Sequence, residues 1–575
     1  MKRSLLTLSR SSYDVAVIGG GIYGASVARE AASRGLKVAL VEQGDFGNAT
    51  SANSHKIIHG GLRYLQHGDF RRMRESIRER SALMRIAPHL VFPMPFLIPI
   101  YKHKGKGKGT FLGALTLNDV IGFDRNKKLS PDKHLPNGSL ISKDDCIVRC
   151  PYLKHPDLAG GAIYYDGQIY NPNRFILALL HSACLEGADV ANYVRVTGCL
   201  RRRNAITALS VIDETTSQIF EIQASIVVNC AGPWVASVLN SCGAQERHSD
   251  STLTKAMVLV TRSIVEGVGV GFPSMNTFRD KDALIDKGYR YFFATPWRDC
   301  SLIGTFQQSF EGNPNDWKVN KTEVEWFLQQ IQESFPAAGL TKNDVRFVYA
   351  GLLPQEDGKV PGSQTSGGPM VKQFQIRDHA QGDGINNLFS VRGVKYTTAR
   401  GVAEQTVNMV CQRLGKPYQK SQTSEQPVDG GDIDNFPKFL AQAVHDESIP
   451  VSEGVRHQLV KNYGTRYQKI LNYGRQNSSW WESLGTGANV IGAEVIHGIR
   501  EEMAHHVDDV VFRRTELGTA GFPGHPPISQ VANIMRQELH WNTQRTSEEL
   551  QRVSSVFSNA LPDFEAAMEP ACAFS

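Results

Sequence analysis

The fold is decided near the N-terminus by the stretch YDVAVIGGGIYGASVAREAASRGLKVALVEQG, residues 13–44. It contains a predicted buried strand (DVAVI), a glycine-rich turn, a predicted helix (ASVAREAASRG) and a second predicted strand (KVALVE). The turn carries the pattern G-x-G-x-x-G at Gly19, Gly21 and Gly24. This spacing is typical of a dinucleotide site, because it allows a tight turn, a close approach of backbone to a pyrophosphate, and close packing of helix on strand.

An acidic residue completes the pattern. Glu42 ends the second predicted strand about twenty residues after the glycines, where a carboxylate accepts hydrogen bonds from an adenosine ribose. A glutamate at this position disfavours a 2′-phosphate by charge repulsion, which leaves NAD or FAD. We call the glycine-rich turn at residues 19–24 the cradle. A single N-terminal cradle followed by a long remainder of chain favours FAD, but the spacing alone does not decide between NAD and FAD.

The composition is that of an ordinary soluble protein. The chain has 575 residues, enough for two or three domains, with 41% hydrophobic and 21% charged residues. A formal charge of +6 slightly favours anionic substrates and gives no indication of nucleic-acid binding. No apolar run reaches the roughly 18 residues that a membrane span needs. The nine cysteines are scattered, so we expect reduced thiols in a cytoplasmic protein.

The first twelve residues, MKRSLLTLSRSS, are basic and briefly apolar. The apolar part is too short for a secretory signal. A targeting segment and a disordered start both remain open, and we expect the disordered start.

A second stretch makes the cofactor specific. With the cradle, residues 47–99 closely resemble the FAD-dependent glycerol-3-phosphate dehydrogenase family through a Thr-Ser pair, a lysine, and the runs IHGGLRYL and APHL. The resemblance covers nearly the whole chain. Its further motifs are NCAGPW (229–234), FFATPWRDCSLIGT (292–305), LFSVRGVKYTTARGVAEQ (388–405) and DDVVFRRTELG (508–518).

The resemblance implies a non-covalent FAD and an α/β fold. It implies a Rossmann-like FAD-binding domain of the two-dinucleotide-binding-domain flavoprotein type, an antiparallel-sheet substrate domain that interrupts it, and a C-terminal helical domain. It also implies that an alcohol carbon is oxidised by hydride transfer to the flavin. We assign residues 13–90, 150–235 and 375–420 to the FAD-binding domain, 236–374 to the substrate domain and 430–575 to the helical domain.

Several flavin contacts are expected away from the cradle. A predicted helix start near Lys395 would direct N–H groups and a partial positive charge at the pyrimidine edge of the flavin, which favours its reduction. Ala231 and Gly232 are small enough to let the chain pass against the cofactor. The full set of predicted cofactor-binding residues is Gly19, Gly21, Gly24, Glu42, Thr50, Ser51, His59, Gly60, Gly61, Ala231, Gly232, Trp234, Gly393, Lys395 and Thr397.

Arg63 follows the pair Gly60–Gly61 and is the main candidate for holding a substrate. A guanidinium is planar and permanently charged, which suits carboxylate or phosphate oxygens. In the resembling family the matching arginine lies in the active site; the alternative is an arginine that pins a loop to a carboxylate. The predicted catalytic residues are Arg63, Tyr64, Arg392, Lys395 and His59, and the predicted substrate-binding residues are Arg63, Arg290 and Arg392.

The substrate positions depart from the family pattern. Leu353 stands where the family has an arginine that contacts phosphate, and Val258 stands where it has a histidine proposed as the base. His55 and His59 are candidates to replace that base. The alternative for each is a histidine that only packs against its neighbours. We therefore expect a small anionic hydroxylated substrate, and in particular a polyol phosphate other than glycerol 3-phosphate.

Two other functions stay open. The missing histidine permits oxidation of an amine or amino acid, since a neutral amine needs no base, and a flavin-loaded protein without turnover is the third hypothesis. The electron acceptor is open among quinone, oxygen and another protein. The family often forms dimers, so a homodimer is one expected assembly.

Three further stretches carry expectations. The basic run and apolar segment at 101–123 are either a docking patch at the inner face of a membrane or a solvated loop over a core helix. The stretch EEMAHHVDDV (501–510) is expected to be a surface helix rather than a metal site, and no metal is expected elsewhere. An exposed, salt-bridged helix face is predicted from alternating charges at Arg71, Arg72, Arg74, Glu75, Arg78, Glu79 and Arg80.

Overall fold

A computed structural model describes residues 1–102, 107–244, 252–277, 289–355, 373–446, 450–485 and 487–560, with backbone only for 275–277, 289 and 290. The strands are β1 (Ser12–Ile18), β2 (Val38–Val41), β3 (Ile57–Ile58), β4 (Val91–Tyr101), β5 (Ser139–Ile141), β6 (Leu158–Ile169), β7 (Asp189–Ala191), β8 (Val194–Arg202), β9 (Ala205–Asp213), β10 (Ile219–Asn229), β11 (Leu253–Arg262), β12 (Gly269–Thr277), β13 (Tyr289–Trp297), β14 (Cys300–Phe310), β15 (Val345–Pro354), β16 (Gln375–Asp378) and β17 (Leu388–Arg392).

The helices follow the same order. They are α1 (Leu5–Arg10), α2 (Ile22–Ser33), α3 (Phe70–Ile86), α4 (Lys108–Ile121), α5 (Lys143–Arg149), α6 (Pro172–Leu185), α7 (Val235–Ser241), α8 (Lys321–Ser334), α9 (Ala399–Arg413), α10 (Phe436–Val444), α11 (Glu453–Tyr463), α12 (Tyr467–Gln476), α13 (Gly492–Glu502), α14 (Val507–Asp509), α15 (His525–Leu539) and α16 (Thr543–Ala560).

The first sheet carries the cofactor side, in the order β16-β17-β10-β1-β2-β7. β1 pairs in parallel with β10 and β2, and β17 and β7 continue the parallel set. The residues of β1 are almost all apolar and buried, as expected for a strand covered on both faces. α2 lies on this sheet between α6 and α9. The predicted βαβ unit and the Rossmann-like fold are confirmed.

The second sheet is mostly antiparallel, in the order β15-β11-β14-β13-β12-β4-β6-β3, with one parallel pair between β12 and β4. On one face, α8 packs into an apolar cluster with β11, β14 and β15. The opposite side of the same strands joins a cluster shared with the C-terminal helices. Because β3, β4 and β6 belong to this sheet, chain segments before residue 170 contribute to it, and the domain limits given above stay predictions.

Buried ion pairs join the C-terminal helices to the cofactor sheet. Asp45, just after β2, accepts hydrogen bonds from Arg514 at 2.7 Å through both of its oxygens and also pairs with Arg513. Arg174 of α6 makes a two-point contact with Glu502 of α13 at 2.7 Å. Such buried charges need their partners, since removing one leaves an uncompensated charge.

The expectation of a disordered N-terminus was wrong. Residues 5–10 form α1, and the Met1 amino group donates to the carbonyl of Glu501 at 2.8 Å. Arg3 donates to the carbonyl of Asn192 at 3.1 Å and pairs with Asp213, while Leu8 is buried. Contacts with residues about 200 or 500 positions away hold this segment, and local composition does not report them.

The expectation of nine reduced thiols was wrong at one pair. Cys199 of β8 and Cys242, just after α7, form a disulfide, because these two elements pack with the Cα atoms 4.7 Å apart. Among the residues described, free thiols occur at Cys146, Cys150, Cys184, Cys230, Cys300 and Cys411. No helix within the described ranges is both long enough and apolar enough to cross a membrane.

Two surface predictions also need correction. Within α3, Glu79 and Arg80 are buried rather than exposed, and they pair with Arg400 and Asp166 instead of with each other. Packing of α3 against α9 and β6 explains the difference, because both buried charges find partners there.

The stretch 501–510 is not a surface helix. α13 ends at Glu502, and most of the following residues are buried against α16. His506 lies 2.7 Å from Glu549, and Asp508 pairs with Arg513 and Arg552. His506 and the neighbouring acids therefore contribute to the ion pairs that hold the C-terminal helices together.

Candidate functional site

The glycine turn between β1 and α2 is packed too tightly for side chains. Gly19 has a φ of +103°, and a Cβ there would lie 2.6 Å from the carbonyl oxygen of Cys230. A Cβ on Gly24 would lie 1.8 Å from the carbonyl oxygen of Gly19. At Gly21 the nearest atom is only the Ser51 hydroxyl, at 3.1 Å, so this side of the turn is open to a ligand. These contacts fit the roles predicted for Gly19 and Gly24, and the role of Gly21 toward a pyrophosphate stays a prediction.

Glu42 closes the turn from the neighbouring strand. Its carboxylate accepts hydrogen bonds from the backbone N–H groups of Gly20 at 2.7 Å and Gly44 at 2.8 Å. Burial raises the pKa of Glu42, while these two N–H groups oppose the rise. The open turn, the carboxylate and the N-terminus of α2 together fit the ribose and pyrophosphate of FAD.

The loop after the cradle, which carries Thr50 and Ser51, is hydrogen-bonded to α2 and to β15. The Ser51 hydroxyl accepts a hydrogen bond from the N–H of Ile22 at 3.0 Å, at the start of α2. The Thr50 hydroxyl donates to the carbonyl of Leu352 at 2.7 Å, on β15. The two residues predicted to contact the cofactor thus join the cofactor sheet to the substrate sheet.

The Gly60–Gly61 pair is shaped by residues that the sequence did not single out. Asp166 of β6 accepts from the N–H of Gly60 at 2.5 Å and pairs with Arg80. A Cβ on Gly60 would lie 2.2 Å from an Arg80 nitrogen, and Gly61 has a φ of +85°. A side chain at Gly60 would therefore displace Arg80, and the positive φ favours glycine at position 61, in the turn that leads into the short 3₁₀ turn Leu62–His67.

A second loop, between β17 and α9, meets the first one. A Cβ on Gly393 would lie 1.9 Å from the ring of Tyr23, in the first turn of α2. The Tyr23 hydroxyl donates to the carbonyl of Lys395 at 2.8 Å, and the Thr397 hydroxyl accepts from the N–H of His59 at 3.2 Å. Tyr23 was missed from the sequence, since nothing in the cradle pattern marks the residue before Gly24.

The predicted NCAGPW turn lies at the end of β10. The N–H of Ala231 donates to the Asn229 side chain at 3.1 Å, and Gly232 starts a short 3₁₀ turn. Trp234 donates from its indole nitrogen to Asn315 at 2.7 Å, which ties the turn to the substrate side of the chain.

Three predicted catalytic residues lie close together beyond the Gly60–Gly61 turn. Arg63 is exposed and makes no hydrogen bond or ion pair with the residues that the structure describes. Tyr64 is buried, and its ring lies 4.4 Å from Lys395 Nζ. Burial, with Arg72 and Arg63 nearby, lowers the pKa of Lys395 to about 8. Burial and Lys395 likewise lower the pKa of His59 to about 3, so its ring is neutral.

The other two predicted arginines are placed differently. Arg392, the last residue of β17, is buried and donates to the Gln375 side chain at 3.2 Å. Its role with substrate remains a prediction. Arg290 lies on β13, and its side chain is outside the described part of the structure.

The two positions expected to depart from the family pattern lie on the adjacent strands β11 and β15 of the substrate sheet. Val258 of β11 is buried and pairs with Gly304 of β14. Leu353 of β15 is half-buried and pairs with Thr254 of β11, one residue from the carbonyl that Thr50 contacts. Both changes therefore lie on strands next to the loop of the cradle.

Comparisons with known proteins agree with this arrangement. A family model described as FAD dependent oxidoreductase matches residues 14–409, and one for the C-terminal domain of alpha-glycerophosphate oxidase matches residues 421–546. The chain is 32% identical to a glycerol-3-phosphate dehydrogenase of Synechocystis sp. over 98% of this chain and 99% of that one. It is 29% identical to an aerobic glycerol-3-phosphate dehydrogenase of Staphylococcus aureus over 88% and 87% of the two chains.

A solved structure shows the same fold. The glycerol-3-phosphate dehydrogenase of Bacillus halodurans, crystallised with FAD, superposes with a TM-score of 0.74 at 24% identity, over 99% of this chain and 97% of that one. The cradle, the tight glycine turns and these matches lead to one conclusion. The chain is an FAD-dependent oxidoreductase that belongs to the glycerol-3-phosphate dehydrogenase family.

Proposed function

We propose that the enzyme oxidises a small anionic alcohol, a polyol phosphate, that is held by Arg63 and Lys395. The observation that carries the proposal is the exposed Arg63 guanidinium, which has no partner in the described part of the chain and lies beside a second cation. An arginine that only pinned a loop would be expected to contact a carboxylate. When bound, FAD supplies the ring that accepts two electrons as hydride.

The chain's own groups suit this chemistry. α9 begins at Ala399, directly after Lys395 and Thr397, so its N-terminus and the Lys395 cation favour negative charge at one end of the ring. The Gly60–Gly61 and Gly393 turns let the backbone lie close to the cofactor, and Tyr23 fixes the second turn against the first turn of α2.

We infer that glycerol 3-phosphate is not the preferred substrate. Leu353 cannot form the charge-assisted contact that an arginine would give, and such a contact is worth about 1.5–3 kcal/mol. Arg392 is already engaged with Gln375, so it compensates only if the bond rearranges. A polyol phosphate with more hydroxyl groups would replace that contact with neutral hydrogen bonds.

Anaerobic flavin reduction tests the proposal. The purified holoenzyme would be mixed without oxygen with glycerol 3-phosphate, tetritol and pentitol phosphates, and amino acids, while absorbance near 450 nm is recorded. We expect bleaching by a longer polyol phosphate at a lower concentration than by glycerol 3-phosphate. Bleaching by amino acids alone would favour amine oxidation, and no bleaching by any compound would favour a protein without turnover.

We further propose that α4 docks the enzyme on an anionic membrane surface. Its outward face and the turn that follows expose Leu112 (51%), Leu117 (40%), Val120 (64%) and Phe123 (80%), four large apolar side chains on one side of the molecule. Basic side chains flank the strip: Lys102, Lys108 and Lys127 are exposed, and Arg74 lies 5.5 Å from the Phe123 ring. Residues 103–106, which complete the basic run, lie outside the described residues.

The docking surface on α4 lies close to the turn that carries Arg63. The turn Leu62–His67, which carries Arg63, contacts α4, and Leu62 and Phe111 pack against the same apolar cluster. A lipid-soluble electron acceptor such as a quinone would then arrive close to the active-site turn. Sedimentation with phosphatidylglycerol vesicles tests this: wild-type enzyme should bind and an L117Q/V120Q variant should not. Equal binding by both would refute it, and Val148→Gln, on α5, serves as the control for another exposed apolar residue.

A further inference from the structure

A wide cleft lies between α3 and α9, beside the residues proposed above to hold the substrate. It has a volume of about 870 Å³, and the loop after α4 completes its lining. Both exposed residues, such as Arg78, and the half-buried Lys395 line this space. The cleft therefore connects solvent with one of the two cations of the proposed substrate site.

The lining of the cleft is strongly basic. Its described residues include ten cationic side chains and four acidic ones. Asp124 already pairs with Arg74 at 2.6 Å. Glu79 and Glu404 both pair with Arg400, at 2.5 Å and 2.9 Å. Ion pairs within the cleft thus engage most of its negative charge, and positive charge remains in excess.

Much of the excess charge lies along α3. Arg71, Arg74, Arg78 and Arg85 recur at intervals of three, four and seven residues, which places them on one face of the helix over about 20 Å. Arg71 and Arg78 are exposed and form no hydrogen bond or ion pair with any residue in the described ranges. Arg85 donates to three backbone carbonyls, which carry no net charge. This helix face therefore presents a row of positive charge to the cleft.

The positive charge continues to the residues proposed to hold the substrate. Arg72 of α3, which also lines the cleft, lies 4.8 Å from the Tyr64 ring, and Lys395 Nζ lies 4.4 Å from the same ring. Burial, then Arg72, lowers the pKa of Lys395 to about 8, and Arg63 adds to this effect. Because a positive potential disfavours the charged ammonium, the lowered pKa agrees with the geometry.

Exposed cations of this kind produce a field rather than a binding site. A solvated arginine holds a ligand weakly, because water screens each single contact. Its charge still adds to the potential of its neighbours, and a cleft with low-dielectric walls concentrates the field lines. Lys127, exposed on the loop after α4 and unpaired within the described chain, adds to the row on α3. Neighbouring charges lie about 5–10 Å apart along the helix axis, comparable with the Debye length of about 8 Å at physiological salt, so their fields overlap.

We propose that the cleft between α3 and α9 is an electrostatic entrance, in which Arg71, Arg78 and Lys127 draw a phosphate dianion toward Lys395. The inference rests on the proposed function and extends it, since the field selects among substrates by charge before any contact is made. Association of a phosphorylated polyol is accelerated and that of a neutral polyol is not. Amines, which are largely cationic near pH 7, are repelled.

Association kinetics of a non-reacting anion test the entrance. Phosphoglycolate has no alcohol to oxidise, and its binding to the oxidised holoenzyme would be followed by stopped-flow absorbance of the flavin between 10 and 300 mM NaCl. We expect the wild-type association rate constant to fall at least tenfold over this range, because salt screens the field. We expect R71E/R78E to be at least tenfold slower than wild type at 10 mM NaCl and to change less than threefold with salt.

The dissociation rate separates steering from contact. Arg71 and Arg78 act before the ligand is bound, so R71E/R78E should keep the wild-type dissociation rate constant within twofold. Arg63→Ala removes a direct contact and should raise that constant instead. Faster dissociation in R71E/R78E with an unchanged association rate would show that these arginines bind the ligand, and the inference would be wrong.

Two further variants exclude other causes. R149E/K154E reverses two exposed cations on and near α5 and changes the net charge equally. An equal fall in its association rate would assign the effect to net charge and overturn the entrance. R71Q/R78Q removes the two charges without adding acids, so it keeps the test decisive if R71E/R78E loses flavin. A wild-type association rate in R71Q/R78Q would count against the proposal.

The two proposals fail separately. Quenching of flavin fluorescence by iodide reports the local concentration of anions, and quenching by neutral acrylamide reports steric access alone. At a constant total salt of 100 mM we expect R71E/R78E to lower the iodide quenching constant at least twofold and to leave the acrylamide constant unchanged. If no polyol phosphate reduces the flavin, the proposed function is lost, and the iodide comparison still decides whether the cleft attracts anions. Equal iodide quenching in wild type and R71E/R78E would overturn the inference.

Discussion

The cofactor side and the substrate side of this site are built differently. On the cofactor side, other atoms fill the space around the key glycines. A Cβ on Gly24 would lie 1.8 Å from the carbonyl oxygen of Gly19, and a Cβ on Gly393 would lie 1.9 Å from the ring of Tyr23. On the substrate side, the positions expected to depart from the family pattern are strand residues, Val258 opposite Gly304, next to a register shift in the β11–β14 pair, and Leu353 opposite Thr254.

The comparison gives a physical reason for the expectation that the cofactor side keeps the family pattern and the substrate side departs from it. A side chain added to the cradle would have to move a strand or a helix, which costs more than most single interactions supply. A strand position accepts another side chain of suitable volume because β pairing uses only the backbone. Substrate preference can therefore change without loss of the cofactor.

The largest effect is expected at the cradle. In Gly24→Ala the new methyl group would overlap the carbonyl of Gly19, so the turn and α2 must separate. We expect purified protein without bound flavin, measured as absorbance at 450 nm per protein. Gly113→Ala, on the exposed face of α4 where a Cβ meets nothing within 4 Å, should keep full flavin content. A fully yellow Gly24→Ala protein would contradict the packing argument.

Removal of the free cation should come next. Arg63→Ala loses a charge-assisted contact worth about 1.5–3 kcal/mol, which is roughly a 10- to 150-fold loss in kcat/KM. Arg63→Lys should recover only part, because an ammonium group cannot bind two oxygens side by side. FAD content should not change. Arg149→Ala, at an exposed arginine of α5, is the matched control, and an equal loss there would remove the assignment.

Introducing the arginine that the family pattern is expected to have at position 353 should have a smaller effect in the opposite direction. Leu353→Arg returns a phosphate contact and should lower the KM for glycerol 3-phosphate by about tenfold, equivalent to about 1.4 kcal/mol. Leu353→Met keeps the volume without charge and should leave that KM unchanged. A rise in this KM for Leu353→Arg would contradict the prediction that an arginine at position 353 contacts the phosphate of the substrate.

The smallest effect is expected from pH. The pKa of Lys395 is lowered to about 8, so the side chain is charged below that pH and becomes neutral above it. KM for an anionic substrate should therefore rise severalfold between pH 7 and pH 9. In Lys395→Arg the charge persists, and the rise should disappear. A pH-independent KM in wild type would remove Lys395 from the substrate contacts.

Local patterns predicted the cofactor side well. The cradle and the strand β17 depend on patterns within short segments, and the resulting FAD assignment is confirmed. The helix predicted to start near Lys395 begins at Ala399. The predicted site residues remain predictions, although the structure brings Arg63, Tyr64 and Lys395 together.

Contacts between distant segments could not be predicted in the same way. Tyr23 meets Gly393, Asp166 supports Gly60, and His55 meets the Val258–Gly304 pair, each over more than 100 positions of sequence. A period of two or 3.6 residues reports which face is apolar, but not which partner covers it. The ordered N-terminus and the buried charges of α3 were misjudged for the same reason.

The ion pairs of Asp45 connect FAD binding to the integrity of the C-terminal helices. Asp45 lies three residues after Glu42 and forms ion pairs with Arg513 and Arg514. Occupancy of the cradle and folding of the C-terminal helices are therefore thermodynamically linked, since a ligand that binds only the folded state stabilises both. By reciprocity, a lesion in the last hundred residues would lower affinity for FAD, and a pale preparation need not indicate a defect in the cradle.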